Sequence, residues 1–492
     1  MRLSISLIAL ASVSHSCSAF TSSSFFSTLS YSRQTDSIIA HSTKDSSTEM
    51  SSPKPKLPLP EPILSLTPGT WAYDTMSRRI DQEILQRTFE DNQDVFLNDA
   101  KFAQAYEKFQ ALRKDLQAAS TSPLRHLEAL PEHLANDPVR VREYNEWKAI
   151  LAPYVDKEEP DTWLSAPWMT AEFYLYRRLM ETLDYFNPES STYMYDPFEK
   201  QKNAGLITSP ATAEPILKQI KGLGKKKVED GFALAAAFAL WGNKMDLSIW
   251  PADEMEDVPG MFQKILSSAN DNLLHDDTDS LVKHGQKLLD NGGGEVDIVV
   301  DNAGFELIMD LALADYLIDS GVAKTVRFQL KSHPTFVSDA LEKDLRQHVS
   351  FYVDQAVEKN PHCKEAGDRW QKYLDDGKWV CNENSFWVQP PAMWEMPKDL
   401  RDDMKARCDL AFIKGDANYR RLLGDLEWDF SAPFEDVVGN YFPCPVCALR
   451  TLKAEIGCGM EKEKVQNAMD LDENWSTNGR FGVVHFSMGS SE

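Results

Sequence analysis

The spacing of apolar residues changes character along this chain of 492 residues. From about residue 71 to residue 240, apolar side chains recur at helical intervals. The segment 170–186, TAEFYLYRRLMETLDYF, carries a stripe of aromatic residues with the same spacing. A second series, spaced by four and five residues, consists of Met76, Ile80, Ile84 and Phe89. These patterns predict a helical region whose apolar stripes form its core.

After residue 290 the pattern becomes that of strands alternating with helices. Three consecutive glycines at 292–294 predict a turn, and the residues that follow predict a strand at 296–300, an amphipathic helix at 305–318 and a strand at 326–330. Short apolar runs predict further strands at 379–381, 410–414 and 481–486. Strands that alternate with helices indicate an α/β fold with a mostly parallel sheet. We therefore expect an N-terminal helical domain, 63–240, followed by an α/β/α (Rossmann-like) sandwich domain, 241–492.

Residues 1–62 are predicted to lie outside the folded domains. Residues 1–35 contain no acidic residue, and Arg2 precedes an apolar run at 5–13, which is typical of a signal peptide. The run is about ten residues long and too short for a membrane span, which needs roughly 20. The following FTSSSFFSTLSYSRQT resembles a plastid transit peptide, so we expect import into a plastid, with the secretory pathway or the cytoplasm as alternatives. The proline-rich SSPKPKLPLPEP predicts a semi-rigid linker, with the folded part starting near Trp71.

The charge of the chain narrows the classes of partner. With 76 acidic against 52 basic residues, the net charge is −24. Nucleic acid or an anionic membrane would approach a surface of like charge, so a small molecule or a metal ion is the expected partner. The seven cysteines are odd in number and sparse, which argues against a disulfide framework.

The segment DIVVDNAGFE, 297–306, carries two adjacent polar residues, Asp301 and Asn302, directly after a predicted buried strand. One of them could cap the next helix, but a cap uses a single side chain. Carboxylate and amide oxygens at a strand end also suit Mg²⁺ or Mn²⁺. Asp339 follows the next predicted strand and is a candidate third ligand, because the carboxyl ends of parallel strands meet at one edge of the sheet.

Basic residues follow the strand predicted at 410–414. Lys414, Asp416, Asn418 and Arg420 crowd its end, and Gly415 allows a close approach of the backbone to a ligand. Further on, Arg450 and Lys453 are three residues apart and are predicted to share a helical face. Cations near a divalent metal are what a phosphoryl group requires, because they neutralise its oxygens. Phosphate-ester chemistry is the function class that these residues indicate.

The motifs DNAGFELIMDLALADYL, FVSD, FIKGDANYRRLLGD and LRTLKAE occur in this order. Together they resemble the domain-of-unknown-function family 89, in its branch with an Arg-Thr-x-Lys motif. Members of this branch are called metal-dependent damage-control phosphatases and also acidic residue methyltransferases. The resemblance extends from about residue 67 to residue 487 and implies a helical domain on an α/β/α domain.

The resemblance also implies roles for individual residues. It implies Asp301, Asn302 and Asp339 as the catalytic ligands of Mn²⁺, or of Co²⁺, Ni²⁺ or Mg²⁺. The residues that match substrate-binding positions of the family are Glu306, Asp416, Ala417, Asn418, Tyr419, Arg420 and Lys453. Of these, Lys453 is implied to contact the phosphate, while Arg450 completes the motif and could instead hold the sheet edge.

The expected reaction is the hydrolysis of small sugar phosphate monoesters, such as fructose 1-phosphate or fructose 6-phosphate, with a role in metabolite damage control. The nucleophile is left open between water at the metal and an acid such as Asp301 or Asp416. One alternative function is S-adenosylmethionine-dependent methylation of protein carboxylates, and another is a non-catalytic scaffold stabilised by a metal. The sequence carries no glycine-rich nucleoside-binding loop that would support the methyltransferase.

Overall fold

The computed structural model describes residues 53–224, 227–242 and 271–490. The predicted signal and transit peptides lie outside these described residues. The proline-rich stretch is described from Pro53 onward and runs along the folded part. The backbone N–H of Lys56 donates to the Asp436 carbonyl at 2.8 Å, and that of Ile63 donates to the Asp425 carbonyl at 3.1 Å. Contacts with the fold therefore begin before Trp71, the residue at which the sequence predicted the folded part to start.

Seven strands form a single sheet in the described part of the chain. They are β1 Leu273–Asp276, β2 Gly294–Val299, β3 Ala323–Lys331, β4 Trp379–Asn384, β5 Leu410–Lys414, β6 Val446–Thr451 and β7 Gly482–Ser487. Their order across the sheet is β1-β7-β6-β5-β2-β3-β4, and neighbours are parallel except for β6 and β7. The predicted mostly parallel α/β sheet is confirmed.

The predicted strands correspond to β2, β3, β4, β5 and β7, and the predicted helix at 305–318 is observed as Phe305–Asp319. The sequence reasoning missed β1 and β6. Strand β6 has the sequence VCALRT, whose two polar residues at the end obscure its apolar run. Arg450 is therefore a strand residue and Lys453 follows the strand, so the prediction that they share a helical face is wrong.

Helices cover both faces of the sheet. The α-helices of the described ranges are Trp71–Asp74, Gln86–Asp91, Gln93–Asn98, Ala103–Gln117, Pro138–Val155, Trp168–Thr182, Glu199–Leu223, Val228–Trp241, Thr278–Asp290, Phe305–Asp319, Glu342–Val353, Pro361–Asp375, Lys398–Arg407, Asp416–Leu422 and Lys462–Leu471. Thr75–Leu85 and Glu435–Gly439 are π-helices. Met76, Ile80 and Ile84 lie in the first π-helix, and Phe89 lies in the α-helix that follows it.

Two apolar cores lie on opposite sides of the sheet, because successive strand residues point to opposite faces. Val299 and Ile413 face the first core, which contains the helices before residue 186. Ile298 and Phe412 face the second core, which contains the helices Glu199–Leu223 and Phe305–Asp319. The described residues form one compact unit. The division predicted at residue 240 stays a prediction.

The strand order reverses between β2 and β5. From β2 the chain proceeds through β3 to β4 on one side, and from β5 it proceeds to β6 on the other. At such a switch point the two loops that follow the strands diverge and leave a crevice at the carboxyl edge of the sheet, where α/β proteins bind ligands. Asp301 follows β2 and Asp416 follows β5, so the fold brings two separate sequence motifs to this crevice.

Two further sequence predictions concern the cysteines and membrane-spanning helices. The six cysteines within the described ranges are unpaired, which agrees with the absence of a disulfide framework. Every helix of those ranges also falls short of the combined length and hydropathy that a membrane span needs.

Candidate active site

The loops after β2 and β3 are joined at the carboxyl edge of the sheet. Asn302 and Asp339 pair as an isolated antiparallel bridge. Next to it, the Ala340 N–H donates to the Asp301 carbonyl at 2.8 Å. These backbone bonds hold the three residues predicted as metal ligands, Asp301, Asn302 and Asp339, in one place, although 38 positions separate the first from the last.

The loop that presents Asp339 is conformationally strained. Phe336 and Val337 have φ angles of +46° and +68°, in the left-handed region that side-chain-bearing residues avoid. For a β-branched residue such as Val337 the penalty is of order 1–3 kcal/mol. Such conformations persist where the surroundings impose them, and they concentrate at functional sites. The strain thus agrees with a loop shaped to place Asp339.

The Asn302 amide connects the two acidic neighbours of the site. Its Nδ2 donates to Asp301 Oδ2 at 2.8 Å and to Glu306 Oε2 at 3.0 Å, while its Oδ1 accepts from the Ser338 hydroxyl at 2.5 Å. Glu306 lies on the first turn of the helix Phe305–Asp319, as the sequence indicated. Asn302 therefore orients two carboxylates toward a common centre.

Burial makes these carboxylates hard to ionise. Removal from water, together with the charges of Asp339 and Glu306, raises the pKa of Asp301 well above its ordinary value. Burial likewise raises the pKa of Asp339 to about 6, although the Lys331 ammonium lies 3.2 Å from its Oδ2 and opposes the shift. Carboxylates gathered in this way need a cation beside them to stay charged.

The donor set fits a hard divalent cation. Asp301, Asn302 and Asp339 offer carboxylate and amide oxygens, which Mg²⁺ and Mn²⁺ prefer. No trio of His, Cys, Asp or Glu side chains among residues 53–224, 227–242 and 271–490 is placed to hold a metal by itself. A cation here would therefore need the Asn302 amide and further oxygens from water or substrate, which Mg²⁺ sites commonly use.

A buried lysine stands behind the acidic cluster. Lys414 ends β5, and its Nζ lies 2.9 Å from Asp310 Oδ1 and 3.9 Å from Glu306 Oε1. It also donates to the Ala239 carbonyl. Burial raises the pKa of Asp310 to about 7, with Lys414 acting against the shift. Lys414, predicted near the ligand, is instead a fixed positive charge beneath it.

Asp416 and Lys453 lie on the other side of the crevice. Asp416 Oδ1 accepts from Arg450 Nε at 2.8 Å and from the Lys453 backbone N–H at 3.0 Å. The remaining donors of Arg450 bind the carbonyls of Ile456 at 2.6 Å and Ala454 at 3.0 Å. Arg450 thus connects the loop after β6 to Asp416. The side chain of Lys453 lines the cavity.

The substrate-binding positions predicted at 417–420 divide into two groups. Ala417 and Arg420 line the cavity, where the Arg420 guanidinium is held by Glu172 at 2.8 Å and Asp425 at 2.8 Å. Asn418 is fully buried, and its amide binds the carbonyls of Val300 and Lys414. Tyr419 is equally buried, with its hydroxyl 3.2 Å from His485 Nδ1. These two lie beneath the loop and do not line the cavity.

The cavity of about 490 Å³ lies between the carboxyl edge of the sheet and the helical layer. The sequence reasoning missed the part of its wall that the helices supply. Among those residues are Trp71, Thr75, Arg79, Trp168, Glu172, Tyr176 and Lys202. The first three and the next three are each spaced by four residues, which was readable in the sequence, but this is also the spacing of a helical core face. Lys331 was missed as well, because it is the last residue of a buried strand.

Comparison with known proteins identifies the family. The model of the damage-control phosphatase ARMT1-like domain matches residues 44–469. The chain is 32% identical to damage-control phosphatase ARMT1 of Mus musculus over 356 residues, which is 70% of this chain and 79% of that protein. It is 31% identical to damage-control phosphatase ARMT1 of Danio rerio over 361 residues, with 70% and 78% covered. A solved DUF89 family protein from Pyrococcus horikoshii, 17% identical, covers 80% of this chain and 98% of that chain with a TM-score of 0.37.

The family model covers most of the chain, and the matched segment contains every residue of the site described above. The resemblance carried by the four sequence motifs is thereby confirmed. The chain belongs to the damage-control phosphatase ARMT1-like family and is an enzyme of the phosphatase class.

Proposed function

We propose that this protein is a divalent-metal-dependent phosphatase that hydrolyses the phosphate monoesters of small sugars, of the fructose 1-phosphate or fructose 6-phosphate type, in metabolite damage control. In this reaction water adds to phosphorus, the bond between phosphorus and the ester oxygen breaks, and the products are inorganic phosphate and the free sugar. Mn²⁺ is the proposed metal, with Co²⁺, Ni²⁺ and Mg²⁺ as the other candidates.

One observation carries the proposal. Asp301, Asn302, Asp339 and Lys453 line one cavity. Oxygen donors for a cation and an ammonium group in the same cavity can together bind a dianionic group. A cavity of about 490 Å³ accommodates a phosphorylated sugar of five or six carbons.

The cation would be held by Asp301, Asn302 and Asp339. When bound, it would neutralise phosphoryl oxygens and would keep the buried Asp301 and Asp339 ionised. Lys414, set beneath Glu306 and Asp310, adds a fixed positive charge that helps to balance the same acidic cluster.

The residues of the chain then bind and orient the phosphoryl group. Lys453 donates to its oxygens. The Asp416 carboxylate is held through Oδ1 by Arg450 and the Lys453 backbone, and no described residue hydrogen-bonds its Oδ2. Because Asp416 lines the cavity, its Oδ2 is the proposed acceptor of a proton from the attacking water. The helical layer above the cavity limits the access of bulk water.

The test is phosphate release by the full chain after chelation and re-addition of Mn²⁺, Co²⁺, Ni²⁺ or Mg²⁺, with a panel of sugar phosphates and nucleotides. We expect turnover that depends on the added metal and favours ketose phosphates. Asp301→Ala should abolish it and keep the circular dichroism spectrum. Asp376→Ala, which changes an exposed aspartate at the opposite end of the sheet, should leave turnover intact.

Metal-independent turnover, or full turnover by Asp301→Ala, would refute the metal assignment. A folded protein that releases no phosphate with any of the four metals would refute the sugar phosphatase proposal. Assays of carboxyl methyl transfer from S-adenosylmethionine would then separate the methyltransferase from the non-catalytic scaffold.

We further propose that the acid-free N-terminal segment directs import into a plastid. The match to the family model begins at residue 44, downstream of the predicted signal and transit peptides. A fluorescent protein fused behind residues 1–62 and expressed in a cell with a complex plastid tests this proposal. Fluorescence in the plastid would support it, whereas secretion or a cytoplasmic signal would favour one of the two alternatives.

A further inference from the structure

One face of the helix Trp168–Thr182 lines the cavity. Trp168, Glu172 and Tyr176 are spaced by four residues, so they stand above one another on the same side of the helix. Asp301 and Asp339 line the same cavity. This face is therefore within reach of a substrate bound beside the metal ligands.

Tyr176 is almost completely buried, with 2% of its surface exposed. Its ring packs against Phe336, with centroids 5.1 Å apart, and against Phe198 at 6.1 Å. Its hydroxyl has no hydrogen bond to any residue that the structure describes, although the side chain lines the cavity. A buried tyrosine hydroxyl ordinarily has a partner.

Two other buried tyrosines have partners within the protein, whereas the Tyr316 hydroxyl has none among the described residues and does not line this cavity. The Tyr174 hydroxyl, on the same helix, donates to the Arg125 carbonyl at 2.6 Å and accepts from Arg178 at 2.8 Å. The Tyr441 hydroxyl donates to the Leu422 carbonyl at 2.5 Å. The Tyr176 hydroxyl differs from that of Tyr316 because Tyr176 lines the cavity, so it is available to a ligand bound there.

Glu172 lies one turn before Tyr176 and is held rigidly. Its Oε2 accepts from Arg420 Nη1 at 2.8 Å, and the same guanidinium stacks 3.6 Å from the centre of the Trp168 ring. Arg420 is in turn bound through two nitrogens to Asp425. The carboxylate is consequently fixed in orientation at the cavity wall and has an oxygen to spare for a ligand.

We infer that Tyr176 and Glu172 are specificity-determining residues that hydrogen-bond the hydroxyl groups of the substrate's non-phosphorylated part. Tyr176 donates to a hydroxyl oxygen, and Glu172 accepts from a hydroxyl hydrogen. The inference rests on the proposed function, since it assigns the part of the same cavity that distinguishes one phosphate ester from another.

Electrostatics favours hydroxyl groups over a phosphoryl group at this face. Glu172 is an anion whose partner Arg420 is already shared with Asp425. A dianionic phosphoryl group beside it would be repelled, whereas Lys453, which lines the same cavity, attracts that group. A carboxylate, a phenol and an indole face together suit a neutral polyhydroxylated chain, because they combine an acceptor, a donor and a flat apolar surface.

The experiment compares two substrates of the metal-loaded full chain. Fructose 1-phosphate carries several hydroxyls, and p-nitrophenyl phosphate carries none. Tyr176→Phe removes the phenolic hydroxyl alone and should lower kcat/KM for fructose 1-phosphate by about 3- to 10-fold, the loss of one neutral hydrogen bond. Its kcat/KM for p-nitrophenyl phosphate should stay within about twofold. Glu172→Gln, which keeps the shape of the side chain, should change the ratio of the two values in the same direction.

Tyr174→Phe is the matched control, because it removes a hydroxyl from the same helix whose partners lie outside the cavity. It should lower the melting temperature and leave the ratio of the two kcat/KM values unchanged. An equal loss on both substrates in Tyr176→Phe, or no loss on either, would overturn the inference. If the wild type hydrolyses p-nitrophenyl phosphate but no sugar phosphate, the proposed function itself is wrong, and the inference falls with it.

Discussion

The backbone of Gly415 lies directly against the carboxylate of Asp301. A Cβ atom on Gly415 would stand 1.9 Å from Asp301 Oδ2 and 2.2 Å from its Cγ. Gly415 also has a φ of +79°, which side-chain-bearing residues rarely adopt. Because Gly415 follows β5 and Asp301 follows β2, this contact sets the distance between the two halves of the crevice.

Gly415→Ala should therefore displace the Asp301 carboxylate. We expect a loss of kcat/KM of at least about 100-fold, since misplacement of a reacting group by about 1 Å costs that much. Phosphate release under saturating metal is the measurement. Gly377→Ala is the matched control, because Gly377 has a φ of +69° and no atom within 4 Å of the position of a Cβ. This variant should lower the free energy of unfolding through backbone strain and should keep its activity. Equal kinetics for the two variants would contradict the contact.

Lys453→Ala should mainly weaken the binding of the substrate's phosphate. The loss of a charge-assisted hydrogen bond, about 1.5–3 kcal/mol, corresponds to a rise in KM of about 10- to 100-fold. Steady-state kinetics with inorganic phosphate as a competitive inhibitor measures both the KM of the substrate and the inhibition constant of phosphate. Lys462→Ala, an exposed lysine on the helix Lys462–Leu471, serves as the control. Unchanged KM and kcat in Lys453→Ala would remove this residue from the site.

Asn418→Ala should lower stability. Its amide binds two carbonyls, those of Val300 and Lys414, and its Oδ1 accepts from Lys331 Nζ at 3.0 Å. Loss of these buried partners should reduce the free energy of unfolding by about 3 kcal/mol. Urea denaturation measures it, with the exposed Asn98→Ala as the control. A raised KM with unchanged stability would instead support the direct substrate contact that the family resemblance implies.

His348 should make stability depend on pH. Its Nδ1–H donates to the Asp344 carbonyl at 2.7 Å, and its Nε2 accepts from the Gly304 N–H at 2.8 Å, so the ring is neutral when folded. Burial lowers the pKa of His348 to about 4, below the ordinary value of 6.5. Between pH 6.5 and pH 4 the unfolded chain binds a proton at His348 and the folded chain does not. Protonation therefore favours the unfolded state, so the free energy of unfolding is highest above pH 6.5 and decreases as the pH falls.

Relative to His348→Gln, which does not titrate, the wild type should lose about 2 kcal/mol of unfolding free energy between pH 7 and pH 5. Glutamine retains a donor and an acceptor, so the comparison isolates the proton. Urea denaturation of both proteins at several pH values measures the difference. Parallel stability curves would show that His348 is not neutral and buried in the folded state.

Local sequence patterns were sufficient to predict a strand where a segment has a single hydrophobic periodicity. The runs at 296–300 and 410–414 are apolar apart from Asp297 and Lys414, and they became β2 and β5. Strand β6 was hidden because Arg450 and Thr451, polar in type, are buried by partners from distant segments. Whether a polar residue is buried depends on those partners, and the spacing of residues along the chain does not identify them.

The site shows the same division. The sequence alone determined the α/β class, the family and the acidic and basic residues that follow the strands, since these depend on residue type and short spacing. The tertiary structure decided which of them share a cavity. It placed Lys453 on the cavity wall and Asn418 and Tyr419 beneath it, and it added Glu172 and Tyr176, which lie 129 and 125 residues before Asp301. The physical reason is that side-chain direction and burial result from packing between distant elements, whereas periodicity reports which face of its own element a residue occupies.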